Sequence, residues 1–468
     1  MLRNLSRLLF LIVLLAGCTL APDYQRPELP VPATWPTGAA PEAKTPAPLP
    51  WQTFYLDPAL RQVIALALEN NRDLRIAALK IEKTRALYQI ERAALFPEVD
   101  AAAFALSQRQ PADLSGSTGR VEIRRQYSAG LGISAYELDV FGRVQSLRDE
   151  ALQEYLATSE AQRSLQIALI AEVAGRYLSL AANREALDLA RKTMAGRTEA
   201  YDLSQRRYNS GLTSVLDVQQ AQTTVDTARV DLARYTRLAD QDENALQFLV
   251  GTPVSATLLP NTLPDETLVL QEPVAGLASE TLLNRPDILR AEHHLQGVTA
   301  HIGAARAAFF PSISLTGTYG TGSVELSGLF NSGSSTWSFL PRITVPIFDG
   351  GGNRAGLEVA QAEQKIAVAE YEAAIQTAFR EVADALAVRG TITEQLTAQA
   401  SLAAANANIF TLAEARYSKG IDNYLVVLDA QRSFYGAQQE LIATRLLRMS
   451  NLVTLYKVLG GGAEAVAE

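Results

Sequence analysis

The sequence predicts a mainly α-helical chain with a membrane β-barrel portion, built from two structural repeats that each combine long-helix hairpin elements with two transmembrane strands. Three observations carry that expectation: an internal duplication, period-two segments that follow helices directly, and heptad spacing sustained along the C-terminal helix. The chain has 468 residues, 48% of them hydrophobic and 20% charged. That length alone suggests about three domains, but the duplication replaces three units with two.

The N-terminus comes first. Arg3 and Arg7 precede the apolar run Leu8 to Leu15, and Leu15-Ala16-Gly17-Cys18 follows. This is the pattern of a secretory signal, here residues 1–17, ending in small residues. The last four residues also resemble a bacterial lipobox. Cys18 is the only cysteine, so it forms no internal disulfide and is the expected lipidation site. Thr19 in the next position points to the outer membrane by resemblance to lipoprotein sorting patterns. One acyl chain binds a membrane only marginally, so stable anchoring needs further chains or a second contact.

Residues 18–50 read as a tether. Nine of the twenty prolines lie between Thr19 and Pro50, and such a segment is expected to be extended and unable to form a packed core. The net charge of −8 argues against nucleic acid as a partner. Three histidines and one cysteine leave little for a metal cluster, and no cofactor is expected beyond the covalent lipid. His294 and His301 lie seven residues apart, about 10 Å along a helix and too far to share an ion.

The body splits into residues 51–255 and 256–461, with a tail at 462–468. "ERAALFPEV" matches "ARAAFFPSI", placing Pro97 and Pro311 214 residues apart. "RRYNSGLTSVLDVQQAQ" matches "ARYSKGIDNYLVVLDAQ", where Gly211 and Gly420 differ by 209. Each repeat opens with a helical stretch, Asp73 to Leu95 and Pro286 to Phe309. Each stretch ends at Phe-Pro, because proline lacks the next amide and pushes its predecessor toward extended geometry. Strands are expected at about 97–108, 124–138, 311–323 and 336–348. Apolar Tyr127, Ala129, Leu131, Ile133 and Ala135 alternate with small or polar residues, as do Trp337, Phe339, Ile343, Val345 and Ile347. Period two marks strands with one apolar and one polar face, which suits a barrel wall between lipid and a wet lumen. Pro341 and Pro346 place the last strand at an edge.

After the first repeat's strands and again after the second's, long helices resume. Leu425, Leu428, Arg432, Tyr435, Gln439, Ile442, Leu446, Met449, Val453 and Tyr456 step by threes and fours, a heptad seam. A second seam through Val427, Ala430, Phe434, Ala437 and Leu441 lies about 200° away, so this helix needs neighbours on both flanks. No apolar run of about 18 residues occurs beyond the N-terminus, and no transmembrane helix is expected. Four strands cannot close a membrane barrel, since open edges in lipid leave amides unpaired. Several copies must therefore combine.

These features, with "LAGCTLAPDYQRPELPVPATW", "YELDVFGR", "RPDILRAEH" and "GAARAAFFPSISLTG", resemble the TolC-like outer membrane efflux channels, or outer membrane factors, in their OprM-like lipoprotein branch. The resemblance implies a homotrimer: a trimeric α-barrel joined to a shared 12-stranded β-barrel in outer membrane lipid. It also implies two partners, a periplasmic adaptor and an inner-membrane efflux transporter, and no enzymatic activity. In that family the periplasmic tip is gated. Asp429 in "YLVVLDA" falls on the gate aspartate, flanked by Leu425 and Arg432. Asp217 and Tyr417 match positions that lock neighbouring hairpins, and Asp422 stands where some relatives carry a basic residue, leaving a hydrogen bond between Asp217 and Tyr417. Gly211 and Gly420 mark the tips that receive the adaptor, while glycine there also permits the reversal. Tyr127, Tyr319, Trp337 and Phe339 suit aromatic girdles. A structural coiled-coil lipoprotein without transport activity is the competing reading, but it gives the strands no purpose.

Overall fold

The computed structural model describes residues 19–36, 50–113, 121–264 and 279–461. The expected signal peptide, Cys18, much of the tether and the 462–468 tail lie outside the described residues. The chain divides into two compact units.

The first unit comprises residues up to Glu28, Lys80–Ser159 and Arg290–Tyr371. Its centre is a sheet of four strands, β1 (Val99–Gln110), β2 (Glu122–Glu137), β3 (Ser312–Ser323) and β4 (Ser335–Thr344), in the order β1-β2-β3-β4. All three pairings are antiparallel. Among the described residues, no further strand pairs with the outer edges of β1 and β4.

Helices α3 (Arg72–Ala93) and α6 (Pro286–Ala307) lead into β1 and β3. Both stop two residues earlier than the sequence suggested. Their last turns tighten into i→i+3 bonds, Phe96 N to Ala93 O at 2.9 Å and Phe310 N to Ala307 O at 3.0 Å, before proline ends the pattern. The fourth strand also ends early, at Thr344 rather than near residue 348. Pro346 has no amide to donate, so Val345 and Ile347 lie beyond the ladder.

One irregularity interrupts β2. Ile133 pairs with Gly317, yet Tyr136 pairs with Leu315, so Ser134 and Ala135 share a single partner position as a β-bulge. Ala135 has φ 51°, a left-handed conformation rare outside glycine. The expected alternation through Ala135 is therefore broken, and Tyr136 takes the place opposite Leu315.

Where the expected tether is described, it docks on the first unit. The Arg26 guanidinium donates to Glu292 at 2.8 and 2.9 Å, Tyr24 donates to the same carboxylate at 3.0 Å, and Arg306 donates to the Leu20 carbonyl at 2.9 Å. Glu292 is only 5% exposed. A Cβ at Gly303 would collide with Ala21 N at 2.7 Å and with the Ser146 hydroxyl, so glycine provides the notch in which the strap lies. Extended chain without a core of its own can still dock where a surface supplies partners.

The second unit comprises Leu29–Leu79, Glu160–Leu289 and residues from Glu372. Here α1 (Trp51–Phe54) and α2 (Pro58–Asn70) join α5 (Val215–Val250), α8 (Tyr424–Val458) and the later parts, from Glu160 and from Glu372, of the long helices α4 (Arg143–Asn209) and α7 (Gly352–Ser418). Phe54 stacks on Tyr456 with centroids 3.9 Å apart, inside a core with Leu60, Ile64, Leu178 and Leu246. Trp35 stacks on Phe379 at 4.7 Å. Both seams of α8 are buried along much of their length, through Leu428, Tyr435, Ile442 and Met449 on one side and Val427, Ala430, Ala437 and Leu455 on the other, whereas Leu425 and Arg432 of the first seam are exposed. A window of α4 reaches a mean hydropathy of 1.3, enough by composition to cross a membrane. Its apolar residues from Leu169 to Ala186 instead belong to this packed core.

Candidate channel wall and gate

The sheet register sorts side chains into two faces, because directly opposed residues share a side. One face carries Val99, Ala101, Ala103, Ala129, Leu131, Ile133, Tyr319, Trp337, Phe339 and Ile343. Trp337, Tyr319, Leu131 and Ala101 form one row across all four strands. Leu131, Tyr319, Trp337, Phe339 and Ile343 on this face are each more than half exposed in the single chain, a contiguous apolar patch of the kind that marks a protein or membrane contact. Its far end turns polar at Arg109 and Arg125.

The opposite face is mainly small and polar: Asp100, Ser128, Gly130, Gly132, Ser314, Thr316, Thr318, Ser338 and Arg342. The Thr318 and Ser338 hydroxyls bond across it at 2.6 Å. Gly130 and Gly320 oppose one another, and a Cβ on Gly130 would lie 2.6 Å from Tyr319 O and 2.8 Å from Gly320 Cα. Two glycines thus let β2 and β3, one from each repeat, approach with nothing between their backbones.

The helical hairpins reverse at Gly211 and Gly420, with φ 72° and 73°. Each closes as a Schellman motif, with Leu212 N donating to Arg207 O at 2.8 Å and Ile421 N to Arg416 O at 3.0 Å. Glycine is required because an L side chain is strained at that φ.

Of the expected gate residues, Leu425, Asp429 and Arg432 are all exposed and recur at spacings of four and three on α8, so they share a helix face. Leu425 and Asp429 line an open groove with Asn406, Ile409, Val426 and Ser433. Asp217 and Tyr417 are not joined to each other within the chain. The Asp217 carboxylate accepts from Thr213 Oγ1 and from Ser214 N and Oγ, completing a capping box at the start of α5. Those bonds, Thr213 first, hold its pKa below the usual carboxylate value. The Ser-x-x-Asp spacing is the sequence signal for such a cap. Tyr417 instead accepts from Arg207 Nη1 at 2.7 Å.

Asp422 also has a partner that the sequence reading missed. The Arg416 guanidinium grips it with two bonds of 2.6 and 2.9 Å, and this pairing lowers the Asp422 pKa. A further buried cation, Arg197, donates to Thr224 O at 3.0 Å and lies 5.1 Å from the Tyr435 ring centroid. No cluster able to hold a metal occurs among the described residues.

Residues 63–252 and 277–461 match the outer membrane efflux protein family. The probable efflux pump outer membrane protein SepC of Pseudomonas putida is 51% identical over 98% of this chain and 96% of its own length. The solvent efflux pump outer membrane protein SrpC of Pseudomonas putida is 48% identical over 97% of each. Outer membrane protein OprJ of Pseudomonas aeruginosa is 46% identical over 97% of this chain and 95% of its own length. Among solved structures, the open state of the Neisseria gonorrhoeae MtrE outer membrane channel superposes with a TM-score of 0.86 at 39% identity, covering 96% of this chain and 99% of that one.

Proposed function

The chain belongs to the outer membrane efflux protein family, and on that footing we propose that it is the exit duct for small toxic organic compounds, gated by Leu425, Asp429 and Arg432. It is a conduit in the bacterial outer membrane and not an enzyme. Three copies share one twelve-stranded barrel, continued by a helical tunnel, and work with a periplasmic adaptor and an inner-membrane transporter. The observation that carries the transport reading is the two-faced sheet, apolar on one side and mainly small or polar on the other apart from Phe104, Leu106 and Leu340, with both edges open among the described residues.

The relatives named for toluene, solvent and antibiotic efflux support apolar and amphiphilic molecules as the cargo class. Three copies of Asp429 near a narrow axis would attract cations and repel each other, which favours cation passage and strains the closed state. Gly211 and Gly420 form the tips offered to the adaptor, and Tyr127, Tyr319, Trp337 and Phe339 sit at the lipid interfaces. Cys18 carries the covalent lipid, a second membrane contact beside the barrel.

Single-channel recording in planar bilayers tests this reading. The wild type should give cation-preferring pores, and Asp429→Ala should reduce that preference. A trimer that inserts without conducting would favour the structural coiled-coil reading instead.

A further inference from the structure

The two repeats place the same kind of corner at the end of their second strands. After β2, Asp139 Oδ2 accepts from Gln145 N at 2.7 Å and the chain turns into α4. After β4, Asp349 Oδ2 accepts from Asn353 N at 2.7 Å and the chain turns into α7. A carboxylate closes each passage from strand to helix.

The corners differ in what they touch. The one after β2 folds over the Phe-Pro step of the second repeat. There Leu138 N donates to Ile313 O at 2.8 Å, and Phe141 stacks on Phe310 with centroids 4.8 Å apart and planes 23° from parallel. The corner after β4 ends in Ile347 and Phe348, 89% and 92% exposed. By the 214-residue offset that relates Pro97 to Pro311, the duplicate of Phe310 is Phe96. Phe96 is 64% exposed against 43% for Phe310, and no ring stacks on it among the described residues.

Phe96 leads into β1 and Phe348 follows β4, the two open edges of the sheet. Three strand spacings of roughly 4.8 Å separate those edges, so the two cannot meet within a chain whose sheet stays open. We propose that the Ile347–Phe348 corner of one copy seats on Phe96 of a second copy, repeating between chains the cover that Phe141 gives Phe310 within one. The inference rests on the trimeric reading and assigns its seam a specific apolar contact. Burial of such exposed side chains favours association, because apolar surface leaves water. The seat lies beside the edges whose amides must pair for a barrel to close.

Cross-linking tests it in the full chain. A Phe96→Cys, Phe348→Cys double variant treated with a short bismaleimide should yield covalent dimers and trimers on denaturing gels, whereas either single variant should not. A Phe141→Cys, Phe310→Cys pair is the positive control and should link within one chain. Should the double variant stay monomeric on the gel while native mass spectrometry shows trimer, the contact is wrong although the trimer stands. Absence of trimer in the wild type would overturn the oligomeric reading instead. If cysteines impair folding, thermal melting of the trimer decides: Phe96→Ala and Phe348→Ala should each lower the midpoint, with the double variant no worse than the poorer single. Additive losses would overturn the proposal.

Discussion

Arg207 and Tyr417 join the two helical hairpins near their tips: Nη1 donates to the phenol oxygen at 2.7 Å while the guanidinium lies 5.4 Å from the centroid of the same ring. One residue comes from each repeat, so the contact ties halves that are otherwise related by duplication. The hydrogen bond and the ring contact are separable, each worth on the order of 1 kcal/mol at a part-buried site. Arg207→Ala should therefore raise the fraction of time the channel spends open in planar bilayers, and Tyr417→Phe, which keeps the ring, should raise it less. Equal open fractions in wild type and Arg207→Ala would show that the tie does not bear on gating.

A second expectation follows from the β2–β3 seam. Gly130→Ala would press a methyl group against backbone atoms of Tyr319 and Gly320, which cannot move without breaking the ladder. Gly132→Ala meets the Thr318 methyl at 3.3 Å, a side-chain atom able to shift, and Gly317 O at 3.4 Å, an ordinary contact distance. The first variant should lose heat-resistant trimer on gels and the second should retain it.

Acidity should reach the tips late. Hydrogen bonding from Arg416 lowers the Asp422 pKa below the usual 3.8, and hydrogen bonding from Thr213 and Ser214 lowers that of Asp217. A depressed carboxylate pKa gives a contribution that is complete above the unfolded value and vanishes as pH falls through the folded one. Hydrogen exchange at residues 213–217 and 416–423 should thus be unchanged, after correction for intrinsic rates, from pH 7 down to 5 and rise only below about 4. Asp422→Asn should bring faster exchange at its own tip already at pH 7. Because that ion pair is exposed, added salt should weaken it as well.

The N-terminal strap offers a fourth expectation. Glu292 is buried and accepts from both Arg26 and Tyr24, so Glu292→Gln removes the charge that holds them. With Arg26 half exposed, the loss is about 1–3 kcal/mol. Chymotrypsin should then cut after Tyr24, which precedes Gln25, well before it cuts the body, while in the wild type that site should resist.

These examples mark what the residues disclosed and what they hid. The Phe-Pro steps announced both helix ends because proline's missing amide acts locally, and the glycine tips were readable for the same reason. The alternating strands revealed their two faces but not the bulge at Ser134 and Ala135, since an extra residue is set by pairing with β3 and leaves no mark in β2 alone. The docking of the strap was hidden because its prolines forbid a core of its own yet say nothing about Glu292, more than 260 residues away. Asp217 was legible as a cap through the Ser-x-x-Asp spacing from Ser214, whereas the bond from Thr213 depends on the turn before α5. The Arg416 grip on Asp422 depends on the turn bringing positions six apart face to face, which helical spacing alone does not suggest.

The bare rims of β1 and β4 bear on biogenesis. A solitary protomer would carry two rows of thirsty amides into hydrocarbon, at several kcal/mol for each group left unsatisfied. Insertion therefore cannot precede association, and entry into the bilayer should rise more steeply than linearly with protomer concentration. An assembly-defective variant should accumulate outside the membrane rather than persist there as a smaller pore.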